Sequence, residues 1–194
     1  MAHLQWAMVP ELDIPQAATL LRSGGVVAYP SEAVWGLGCD PFDADAVARL
    51  LAIKRRPAAK GLILLAASWA LLEPLLEPWR LPRERLEHVL ETWPGPHTWL
   101  MPCVAAIPAW LRGGHDSLAV RVSAHPQAAA LSSAFGGPIV STSANVTGAP
   151  APHRREDLDP ALLAATDGLV PGDTGHLPAP TPIRDAATGA FVRA

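Results

Sequence analysis

The run Leu62-Ile63-Leu64-Leu65 is apolar at every position and follows directly on Lys60-Gly61. Four consecutive apolar residues leave no polar side to turn to water, so they read as a central strand and not as an amphipathic surface helix. Such a strand needs neighbouring strands and a covering layer of helices, and the rest of the chain offers both in alternation. Ile14 to Arg22 has apolar residues at helical spacing and stops at Gly24-Gly25, after which Val26-Val27-Ala28-Tyr29 reads as a short buried strand. Pro30 to Asp40 reads as a glycine-bearing loop, and Asp43 caps a helix whose inward face is Ala46, Val47, Leu50 and Leu51.

Helical patterns follow around Trp69 to Leu76 and Arg83 to Trp93, with strands at His97 to Cys103 and Ser117 to Val122. His125 to Phe135 reads as a helix ended by Gly136-Gly137, and Pro138 to Ser141 as a strand running into Ser141-Thr142-Ser143-Ala144-Asn145. Beyond Gly148 the chain is rich in Pro, Ala and Gly, with strand-like fragments at Gly168 to Val170, Ile183 to Asp185 and Phe191 to Arg193. Alternating strands and helices imply a mixed α/β sheet. At 194 residues, 49% hydrophobic and 17% charged, one domain with one core over 1–194 is expected.

Net charge is −3, which argues against a broad basic face for coating nucleic acid and makes any anion site local. Both lysines, Lys54 and Lys60, fall in one seven-residue stretch with Arg55 and Arg56. Up to four cations on a proline-stiffened connection can neutralise a triphosphate, although a charged surface turn has the same composition. Ser141-Thr142-Ser143-Ala144-Asn145 sets three hydroxyls and an amide at a strand end, suited to phosphate oxygens or a hydrated magnesium ion, or simply to turning the chain. Pro30-Ser31-Glu32-Ala33-Val34-Trp35-Gly36-Leu37-Gly38 also leaves a strand end, where ligands gather in open α/β sheets, while Trp35 reads as core.

Met1 to Pro10 lacks the pattern of a secretory or membrane segment, so a cytoplasmic protein without membrane spans is expected. Cys39 and Cys103 match no metal-ligand spacing and read as reduced and buried. The histidines show no HExxH pair and read as structural. No acidic triplet suggests a protein-built metal site, and no Gly-x-Ser-x-Gly elbow suggests a serine hydrolase.

Taken in order, Pro30 to Gly38, Lys54-Arg55-Arg56-Pro57, Lys60-Gly61, Trp93-Pro94-Gly95-Pro96, Leu118-Ala119-Val120-Arg121-Val122 and Ser141 to Asn145 resemble the YrdC-like family of threonylcarbamoyl-adenylate synthases. The resemblance covers roughly residues 12 to 193 and implies an open, twisted mixed sheet with flanking helices and a concave, positively lined cavity. It implies a catalytic tetrad at Lys54, Arg56, Ser143 and Asn145. These four, with Lys60, are expected to hold ATP, and Ser31, Ser141 and Arg121 to hold L-threonine, Arg121 as a fork for its carboxylate. A buried structural ion pair is the competing reading of Arg121. The implied reaction takes ATP, L-threonine and bicarbonate to threonylcarbamoyl-AMP and pyrophosphate, with Mg2+ arriving on ATP. Hand-off to the tRNA threonylcarbamoyl transferase machinery and a weak tRNA contact are also implied.

Two departures from the family pattern stand out. Ser31 replaces the usual threonine, keeping the hydroxyl without its methyl, and Pro182 in Thr181-Pro182-Ile183-Arg184-Asp185 replaces a hydroxyl residue, so no contact is assigned there. The rival functions are a non-catalytic RNA-binding module and a carbamoyl-adenylate enzyme acting on another amine.

Overall fold

The structure is a computed structural model that describes residues 9–175 and 177–193. The reading of the N-terminal segment as free of a targeting signal falls almost wholly outside them. Among the described residues the first helix is α1 (Ile14–Arg22), capped by Asp13, whose carboxylate accepts from Gln16 N at 2.8 Å while the Gln16 side chain accepts from Asp13 N at 2.9 Å. A hairpin of β1 (Val27–Pro30) and β2 (Trp35–Gly38) follows, then α2 (Ala44–Ile53), with Asp43 as its N-cap.

The apolar run becomes β3 (Ile63–Ala66). Beyond it lie α3 (Trp69–Leu72), α4 (Arg83–Glu91), β4 (Thr98–Pro102), α5 (Ala109–Arg112), β5 (Ser117–Val122), α6 (Pro126–Phe135) and β6 (Ile139–Ser143). The C-terminal part adds α7 (Pro160–Ala164), β7 (Gly168–Leu169), β8 (Ile183–Asp185) and β9 (Phe191–Arg193). Among the described residues the strands form one sheet in the order β7-β1-β2-β6-β3-β5-β4-β8-β9. Three of its pairings are parallel (β1 with β7, β3 with β5, β4 with β8) and the rest antiparallel, so the sheet is mixed.

Strand alternation sorts the side chains onto two faces. On one face Leu37 of β2, Leu64 of β3, Trp99 of β4 and Leu118, Val120 and Val122 of β5 join the larger core, covered by α2 and the segments around α3 and α4. On the other, Val27, Tyr29, Leu65 and Ile139 pack beneath Ala17, Ala18 and Leu21 of α1 and Ala128 and Leu131 of α6. Those two helices cover only part of that face. Where they stop, the sheet carries Ser141, Ser143, Ala119 and Arg121 in place of large apolar side chains, and a cavity lies over them.

Three segments differ from the sequence reading. The loop expected over Pro30 to Asp40 contains β2, because Gly36 and Gly38 make room for the Tyr29 ring, and a Cβ at Gly38 would lie 2.8 Å from it. Helix α3 lasts only four residues before Pro74 draws the chain into a 3-10 turn over Glu73–Leu75. The Pro- and Ala-rich C-terminal stretch also holds α7, capped by the Asp159 carboxylate. Cys39 and Cys103 are free and buried, and burial pushes both thiols up.

Candidate active site

The basic connection takes its shape from how α2 ends. Lys54 is the C-cap residue, and Arg55 turns left-handed at φ 50°. Arg55 N donates to Ala52 O at 3.0 Å and Arg56 N to Leu51 O at 2.9 Å, the two closing bonds of a Schellman stop. Glycine normally occupies the left-handed position, so Arg55 holds a strained backbone that sends Arg56 away from the helix axis. Arg56 Nη2 then donates to Gly61 O at 3.0 Å, which ties the connection to the start of β3. Gly61 itself has φ 63°, and its Cα sits so near α5 that a Cβ would lie 3.1 Å from Leu111 O.

The cavity has a volume of about 440 Å3. Arg56, Lys60, Arg112 and Arg121 lie on its wall, and among the described residues no Asp or Glu does. Ser141 and Ser143 reach it from β6, and Ser31 from the turn between β1 and β2. The Ser31 hydroxyl donates to Val34 O at 2.8 Å, which leaves its oxygen lone pairs able to accept. Arg112 is braced by bonds to Ile107 O at 3.1 Å and His115 O at 2.6 Å, and His115 also borders the cavity.

Lys54 and Asn145 stand behind this wall. Lys54 is 2% exposed, and its ammonium donates to Ser143 O and, at 2.7 Å, to Asn145 O. Burial, and next the charge of Arg56, hold its pKa down at about 8. The Asn145 amide donates to Ala149 O at 2.6 Å and to Val146 O at 3.1 Å, while its Oδ1 is buried without a hydrogen-bond partner. All four tetrad residues therefore meet at the end of β6, with Arg56 and Ser143 on the cavity side and Lys54 and Asn145 supporting the strand end.

Arg121 is 5% exposed. Its Nη2 lies 3.4 Å from Glu32 Oε2, and Nη1 donates to the hydroxyl of Thr181 and more weakly to that of Thr98 at 3.5 Å. The other Glu32 oxygen accepts the Ser123 hydroxyl at 2.6 Å. Arg121 thus belongs to a buried ion pair and faces the cavity as well, so the two sequence readings of this residue are compatible. Sequence reasoning missed Glu32, Thr181, Arg112 and His115. Glu32 was visible as an acid inside the Pro30 to Gly38 motif and His115 as the neighbour of Asp116 in a pair read as structural, whereas Arg112 carried no local signal. Among the described residues no group of His, Cys, Asp and Glu could hold a metal ion.

The open mixed sheet, with a cation-lined cavity beside strand-end hydroxyls, defines an α/β protein. A family profile described as "Telomere recombination", for the Sua5/YciO/YrdC domain, matches residues 19–194. The chain belongs to the Sua5/YciO/YrdC family. It is 55% identical over 181 residues to a threonylcarbamoyl-AMP synthase of Xanthomonas campestris pv. campestris (strain B100), covering 93% of this chain and 97% of that one. Pyrococcus abyssi Sua5, solved in complex with L-threonine, aligns with a TM-score of 0.82 at 33% identity over 89% of this chain, which spans about half of that longer protein (50%). Escherichia coli YciO shares the fold at a TM-score of 0.77 and 24% identity, covering 95% of this chain and 94% of that one.

Proposed function

We propose that the chain is an L-threonylcarbamoyladenylate synthase, a nucleotidyltransferase that makes threonylcarbamoyl-AMP and pyrophosphate from ATP, L-threonine and bicarbonate. The observation that carries this reading is the match to a synthase of that name across nearly its whole length, in a chain whose cavity is cationic and free of acids. Threonine's amine captures bicarbonate as a carbamate with loss of a water molecule, and a carbamate oxygen attacks the α-phosphate as the bond to pyrophosphate breaks. No protein nucleophile is required, and positioning with electrostatic stabilisation does the work.

Arg56 and Lys60 are assigned to the phosphates, and Ser143 to the phosphates or the water shell of their metal. Lys54 adds positive charge from behind and fixes the Ser143 and Asn145 carbonyls. Ser31, Ser141 and Arg121 are assigned to threonine. Strand-end hydroxyls without carboxylates suit Mg2+ that comes with ATP and keeps its waters, and bound that way it would neutralise phosphate charge. The product is a reactive mixed anhydride, which fits direct hand-off to the tRNA threonylcarbamoyl transferase that consumes it, with a weak tRNA contact at the cavity rim. No helix of the described residues is long and apolar enough to cross a membrane, in keeping with a cytoplasmic place of work.

Pyrophosphate release tests the reading: it should need ATP, threonine and bicarbonate together. Release without threonine would overturn it, and salt-sensitive RNA binding with no turnover would favour an RNA-binding module instead.

A further inference from the structure

The cavity's cations are not electrostatically equal. Ser117 and Arg121 lie four residues apart on β5, about 13 Å along the strand, and mark two ends of the cavity. At the Ser117 end stand Lys60 and Arg112, brought together where Leu62 N donates to Leu111 O at 2.8 Å. No ion pair joins either of them to a carboxylate among the described residues. At the other end Arg121 has Glu32 behind it, the two side chains 6% and 7% exposed. The carboxylate is held on its other side as well. Ser123 holds one oxygen at 2.6 Å, and the Glu32 backbone is packed so closely that a Cβ at Gly175 would sit 2.2 Å from its carbonyl oxygen.

We infer that Glu32 sorts the two substrates: by neutralising Arg121 from outside the cavity wall, it fits that end to a zwitterionic amino acid and closes it to polyphosphate. The inference rests on the ATP and threonine reading given above. A zwitterion brings no net charge, so a guanidinium with a fixed counter-charge still serves its carboxylate through directed N–H donors. Polyphosphate brings several negative charges, each repelled by Glu32 at a range where little water intervenes. Without Glu32, Arg121 would be one more bare cation, and either substrate could occupy either end. Glu32 touches neither substrate, so it is a positioning and specificity residue.

The test measures equilibrium binding of L-threonine to the full chain, with and without saturating inorganic pyrophosphate as the polyanion probe. Wild type should bind one pyrophosphate, with threonine affinity unaffected by it. In Glu32→Gln, pyrophosphate should compete for the Arg121 end and raise the apparent threonine Kd by at least about tenfold. Glu32→Asp, which keeps the charge, should restore independence, a pattern that lost packing alone would not produce. If Glu32→Gln does not fold, Glu32→Ala, which likewise removes the charge, is read in the same way. Competition in wild type, or independence in Glu32→Gln, overturns the sorting role. A wild-type chain that binds neither ligand would instead overturn the synthase reading.

Discussion

The ammonium of Lys54 lies 2.7 Å from the carbonyl oxygen of Asn145 and donates to Ser143 O as well, so a nearly buried cation is held by backbone carbonyls alone, with no ion pair to a carboxylate among the described residues. Its pKa falls from 10.5 to about 8, chiefly through burial. The unfolded chain therefore binds more protons than the folded one between those values, and stability should rise with pH across the window, by up to roughly 3 kcal/mol. Chemical denaturation between pH 7.5 and about 10.5 measures this rise, and Lys54→Met should lack it. ATP affinity should run the opposite way, weakening above about pH 8 as the cation is lost.

Arg56→Ala removes a cation from the cavity wall while α2 and β3 keep their own backbone bonds. Pyrophosphate release should fall by about 10²- to 10³-fold with the circular dichroism spectrum unchanged. Wild-type turnover would remove Arg56 from the phosphate site.

Arg121→Ala should act twice. It strips the donor assigned to threonine's carboxylate and leaves Glu32 buried without its counter-charge, a loss worth about 3 to 5 kcal/mol. Threonine KM should rise more than the KM for ATP, and the melting temperature should drop. A drop in melting temperature with threonine KM unchanged would leave Arg121 a purely structural residue.

Arg55 holds a positive φ at the helix stop and has no place on the cavity wall. Arg55→Gly should therefore stabilise the fold by about 1 kcal/mol in denaturant titrations and leave turnover nearly unchanged. Loss of activity in this variant would show that the strained turn itself aims Arg56.

The helices α1, α2 and α6 and the strand β5 were legible because each carries its own period and stop signal: the Asp13 and Asp43 caps, Gly136 at φ 87°, and the Leu118, Val120 and Val122 alternation. The glycines of β2 carry no strand preference. They are small because the Tyr29 ring lies across them, and that is a tertiary fact. The cation cluster and the Ser141 to Asn145 segment could be read locally, since each lies within a few residues of sequence. The Glu32 and Arg121 pair could not, because only the folded sheet places a turn after β1 against β5. Nor could the difference in exposure between Arg56 and Lys54, which the left-handed turn at Arg55 decides.

The most direct measurement supplies ATP, magnesium, L-threonine and isotopically labelled bicarbonate and weighs the products. The label should appear in one species that also contains adenylate and threonine, formed in step with pyrophosphate. ATP consumed without threonine, or a label that never joins the adenylate, would contradict the synthase reading.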